Sequence, residues 1–103
     1  MTIAVVARVA VKPGRSAEFE EAFRSQAEQV SAKEPANRLY RLFRSRTDPG
    51  AYTVLEIYAD DAALAAHMAS DHMRANRAVM ASLLDGRASF EIVDGVSAAT
   101  GEI

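Results

Sequence analysis

Along this chain the spacing of apolar residues changes in a fixed order: two, then three to four, then two twice over, then three to four, then two. No other feature constrains the fold as much. Residues 3–12 alternate, with Ile3, Val5, Ala7, Val9 and Val11 on one side and Ala4, Val6, Arg8, Ala10 and Lys12 on the other, which predicts a strand. Pro13-Gly14 interrupts it. Ser16 then stands where a helix N-cap would, with Glu18, Glu20 and Glu21 where they suit the helix dipole. Phe19, Ala22, Phe23, Ala27 and Val30 form one apolar stripe, so a helix is expected to run to about Lys33, before Glu34-Pro35.

Residues 38–46 and 51–59 read as strands joined by Thr47-Asp48-Pro49-Gly50, a turn sequence, and so as a hairpin. From Asp60 the chain is alanine-rich and helical to Ala69. Ser70-Asp71 supplies a second cap signal, and a further helix is expected to about Leu84. After Gly86 a last strand covers residues 87–94, with Phe90 and Ile92 on one face and Ser89, Glu91 and Val93 on the other. The order β-α-β-β-α-β predicts an α+β, ferredoxin-like domain: a four-stranded antiparallel sheet with helices on one face. At 103 residues the chain is expected to be one domain, residues 1–103, with 95–103 as a tail.

The free face of such a sheet should be polar, yet residues 51–59 place Tyr52, Val54 and Tyr58 on one side and Leu55 and Ile57 on the other. A second copy packed face to face would cover the surplus, which predicts a homodimer. The net charge of −2 offers no field for nucleic acid, and no run of about 18 apolar residues suits a membrane. The N-terminal stretch lacks the basic region and cleavage site of a signal peptide, and the chain has no cysteine, so a cytoplasmic protein is expected.

Candidate chemistry rests on few residues. His67 and His72 are the only side chains whose ordinary pKa lies near neutrality. Five residues on one helix separate them by about 140°, so they share a face only if the helix breaks at Ser70-Asp71. His67 lies on the apolar stripe and points to the sheet, either as a functional group or as a structural histidine satisfied by a neighbour. No third nitrogen or sulfur ligand accompanies the pair, so no metal site is expected. Glu56 shares the parity of Tyr52, Val54 and Tyr58, a costly place for a carboxylate without a partner. It could orient a histidine, bind substrate or pair with an arginine from residues 38–46. Tyr40, Tyr58, Phe43 and the methionines, Met68 among them, could line a pocket for a flat aromatic ligand or simply be core. No glycine-rich phosphate loop or nucleophile elbow is present, and no nucleotide cofactor is expected.

The segments Lys33-Glu34-Pro35-Ala36-Asn37, Leu55-Glu56-Ile57-Tyr58 through His67, and Ser70-Asp71-His72-Met73 resemble the antibiotic biosynthesis monooxygenase family, and the likeness covers nearly the whole chain. It implies a dimeric α+β barrel that oxidises a quinol or polyketide-like phenol with molecular oxygen, without metal or organic cofactor. By the same resemblance His67 is the acid-base or substrate-anchoring residue, His72 and Asn37 are polar pocket groups, and Glu56 orients. The haem-degrading branch is expected to carry an asparagine in the first strand and a tryptophan in the sheet. This chain has Ala7 and no tryptophan, which argues against haem, and Ala36 stands where a glycine is common. Two alternatives stand beside the oxygenase: an isomerase resembling that of the phosphorylated autoinducer, and a non-catalytic dimeric binding or stress-response module.

Overall fold

A computed structural model describes residues 1–97, which form the elements β1 (Ile3–Ala10), α1 (Ser16–Lys33), β2 (Asn37–Arg44), β3 (Ala51–Tyr58), α2 (Asp61–Ala69), α3 (Asp71–Ala81) and β4 (Ser89–Asp94). The strands make one antiparallel sheet in the order β2-β3-β1-β4, with β1 central because it pairs with both β3 and β4. This is the ferredoxin-like α+β fold expected from the order of periods. Of the expected tail, residues 98–103 lie outside the described residues. Among the described residues no helix is long and apolar enough to cross a membrane.

The two-residue alternation decides which side chains meet the helices. Ile3, Val5 and Ala7 of β1 and Tyr52, Val54, Glu56 and Tyr58 of β3 are all buried on one face. Phe19, Phe23, Gln26 and Val30 of α1 recur at three- and four-residue spacing and are buried as well. Phe19 packs with Val11, Tyr52 and Leu83, and Phe23 with Ala7 and Val54. Burying each such side chain contributes roughly 1.5–3 kcal/mol. β4 lies beyond this cover: Phe90 is 66% exposed and Ile92 60%, although their partners Ala7 and Val5 are core.

Several boundaries differ from expectation for local reasons. Helix α1 begins at Ser16 itself, with Arg15 in the cap position and no side-chain cap bond, while Arg15 pairs instead with Glu18 of the first turn. Strand β2 stops at Arg44, because the Ser45 hydroxyl accepts from the backbone N–H groups of Thr47 and Asp48 and starts the turn early. Helix α3 stops at Ala81 rather than Leu84, where the Leu83 carbonyl accepts instead from Lys12 beside β1. Strand β4 starts at Ser89.

The break expected in the second helical region is present. Asp60 caps α2 by accepting from the Ala63 N–H. Ser70 then leaves helical geometry at ψ 153°, donates its hydroxyl to the His67 carbonyl and accepts from the Met73 N–H, closing α2 and opening α3 with one side chain.

Candidate functional site

Between the sheet and helices α1 and α3 lies a cavity of about 320 Å³. Its walls are mainly apolar, with Phe23, Val54, Met73 and Met80 among them, and the exposed Phe90 of β4 is part of the lining. Tyr40 forms one wall and stacks on Phe23, with ring centroids 5.1 Å apart and planes 6° from parallel. The one carboxylate in the lining is Glu56, and Asn76 and Arg77 are the polar groups contributed by α3.

Glu56 is held from behind. The Tyr58 hydroxyl donates to its Oε1 at 2.7 Å, and His67 Nε2 lies 3.8 Å from the same oxygen. Burial pushes the Glu56 carboxyl above its ordinary value, since desolvation outweighs the hydrogen bond from Tyr58 and the attraction of His67. Burial and the neighbouring Glu56 raise the phenols of Tyr40 and Tyr58, so both stay protonated. The arginine partner considered for Glu56 does not occur: Arg44 pairs with Glu20 on the surface, and Arg41 lies over Phe43.

His67 is 1% exposed and faces two carboxylates. Its Nδ1 lies 3.0 and 2.9 Å from the two oxygens of Glu34, so with Glu34 ionised that nitrogen carries the proton and donates. His72 Nε2 contacts Glu34 Oε2 from the other side. The helix break therefore brings both imidazoles, with centroids 6.3 Å apart, onto one carboxylate. His72 also lines a separate outer groove between α1 and α3, of about 540 Å³, shared with Gln26, Lys33 and Asp71.

The expected site residues separate into four groups. Glu56 and Tyr40 line the cavity, while Tyr58 and His67 lie behind Glu56 and do not. His72 belongs to the Glu34 cluster and the outer groove. Asn37 and Met68 stand apart: the Asn37 amide donates to the Leu39 carbonyl within its own strand, and Met68 is 48% exposed on α2. Phe43 sits on the sheet face away from the helices, beside Thr53.

Glu34 was not among the expected site residues, although both histidines meet on it. The sequence did carry a signal, since an acid at a helix C-terminus opposes the helix dipole and needs a partner. Gln26 was also missed: it is a buried polar residue on the α1 stripe, and its amide reaches Met73 Sδ.

A family model described as antibiotic biosynthesis monooxygenase matches residues 2–79. The chain is 41% identical to a Caulobacter crescentus CB15 protein of solved structure, named as a candidate antibiotic biosynthesis monooxygenase, with a TM-score of 0.90 over 93% of this chain and 91% of that one. A conserved protein from Methanosarcina mazei Go1 is 29% identical, with a TM-score of 0.83 over 89% of this chain and 90% of that one. A further candidate of the same description from Nitrosomonas europaea is 27% identical, with a TM-score of 0.87 over 97% and 94%. Among curated proteins none matches significantly.

Proposed function

The chain belongs to the antibiotic biosynthesis monooxygenase family, and from that premise we propose that it oxidises a flat phenolic or quinol-like molecule with molecular oxygen, using no organic cofactor. The observation that carries this reading is Glu56, a lone carboxylate on the wall of an otherwise mainly apolar cavity, backed by the Tyr58 hydroxyl. About 320 Å³ suits a small ring system, and the Tyr40–Phe23 stack offers a flat wall to lie against.

The chemistry starts with the proton. A substrate hydroxyl against Glu56 gives up its proton to the carboxylate, and the raised Glu56 pKa narrows the gap to a phenol's value of about 10. The resulting phenolate is electron-rich enough to reduce oxygen against the mainly apolar walls of the cavity. A ring carbon then forms a C–O bond and loses its hydrogen, one oxygen atom stays in the quinone product and the other leaves as water. Substrate supplies all four electrons, so no external reductant is needed. In this scheme Glu56 is the base and His67 the group behind it, the reverse of the roles implied by resemblance.

Arg77 favours a second reading. This exposed cation lines the cavity, and its guanidinium donates to the Met68 carbonyl with no acidic partner among the described residues. A substrate bearing an anionic group would suit it, as the isomerase alternative requires.

Oxygen consumption over a panel of anthrones, hydroquinones and polycyclic phenols tests the oxygenase. Glu56→Gln should lower kcat by roughly 10²–10⁴-fold, the usual contribution of a positioned general base. A panel without uptake removes the oxygenase reading, and a substrate whose proton signals rearrange without oxygen would put the isomerase in its place.

A further inference from the structure

Glu34 occupies the C-cap of α1, an 18-residue helix, where the free carbonyls already carry negative partial charge. A carboxylate there is usually turned into solvent. This one is folded inward, with its side chain 10% exposed, and among the described residues its only ion-pair partners are His67 and His72, whose side chains are 1% and 8% exposed. His67 itself stands in the last turn of α2, a second helix C-terminus. Two helix C-termini and a carboxylate thus converge on the imidazoles and favour added positive charge, while the N-terminus of α3, whose first turn carries His72, works against it.

We propose that Glu34, His67 and His72 bind a divalent first-row metal ion, of the class represented by Zn²⁺, through a carboxylate oxygen, His67 Nδ1 and His72 Nε2. One ligand atom from each lies within 4.8 Å of the other two. Two histidines and a glutamate are an established zinc donor set, which keeps further coordination positions open. Ligands at about 2.0–2.1 Å from zinc stand about 3.3 Å apart in a tetrahedron. Glu34 Oε2 lies 2.9 Å from His67 Nδ1 and closer to His72 Nε2, so an ion requires a small outward shift of His72. The groove beside His72 leaves room for that shift and a route of entry.

The sequence argued against a metal because no third nitrogen or sulfur accompanies the histidines; the fold supplies an oxygen instead, from 33 residues upstream of His67. A metal on Nδ1 would leave the His67 proton on Nε2, pointing at Glu56. The ion would thereby hold the ring that backs the cavity carboxylate. This site does not depend on the oxygenase reading.

The test is a titration of chelator-treated full-length protein, with Zn²⁺ followed by calorimetry and Co²⁺ by visible absorption. The proposal expects one ion per chain, a Co²⁺ ligand-field band, and a thermal midpoint raised by Zn²⁺. Glu34→Gln and His72→Gln, checked for folding by circular dichroism, should each weaken binding at least tenfold, and the Zn²⁺-dependent thermal shift should shrink with it. No stoichiometric uptake by folded wild-type protein, or uptake unchanged in His72→Gln, overturns it in favour of a hydrogen-bonded cluster without an ion. Binding is read without substrate, so its failure is distinct from a failure to consume oxygen.

Discussion

Glu56 places function and stability in opposition within one side chain. Its carboxyl is raised in the folded state, chiefly by burial, with Tyr58, His67 and, further off, Glu34 facing it. For an acid shifted upward, the stability it contributes is fully present below its unfolded pKa of about 4.3 and is lost as pH rises through the higher folded value. Once ionised, the carboxylate therefore costs stability. Glu56→Gln keeps an oxygen for the Tyr58 hydroxyl and removes that cost, so at a pH where Glu56 is ionised it should stabilise the fold by on the order of 1 kcal/mol while lowering kcat as expected for a lost base. Denaturant unfolding of chelator-treated protein from pH 5 to 8 checks this: the gap between variant and wild type should widen with pH, and a constant gap would contradict it.

At the scale of elements, the short interruption at Ser70 does more for the site than either helix alone. An unbroken helix would turn His72 about 140° away from His67, and only the extended geometry at Ser70 lets both rings reach Glu34. Ser70→Ala removes the α3 cap and should cost about 1 kcal/mol in thermal unfolding, a typical cap loss. Asp60→Ala removes the α2 cap at a similar cost. The two should separate in the imidazole ¹⁵N resonances: Ser70→Ala is expected to shift His72, whereas Asp60→Ala should leave it near its wild-type position. Equal effects would mean that the break is held by packing rather than by the serine.

For the whole molecule, the face of the sheet away from the helices is the incompletely covered apolar surface. Val6, Leu55 and Ile57 are only half-buried there, Phe43 is 45% exposed and Val93 39%. This supports the proposal that a second copy covers it, as expected from the apolar residues on both faces of β3. Light scattering should give twice the chain mass, and Leu55→Glu, a charge in the middle of that face, should give single chains that keep their helical circular dichroism. A monomeric wild type at micromolar concentration would remove the dimer.

How much of this was legible beforehand follows from the range of each interaction. Alternation over Ile3–Ala10 and Ala51–Tyr58, helical spacing in α1, and the cap signal of Ser70 are properties of a few neighbouring residues, and with them came the ferredoxin-like order, the inward aim of His67 and the parity of Glu56. Ends such as Arg44 and Ala81 were misjudged because a serine turn and a contact with Lys12 overrode local preference. The meeting of Glu34 with His67 and His72 spans 33 and 38 residues, and it exists only because three helix ends pack together on one side of the sheet. The same packing decided that Glu56, and not His67, faces the cavity. Periodicity tells which side of an element is buried; what a buried side chain touches is set by how the elements stack, and that belongs to the tertiary structure.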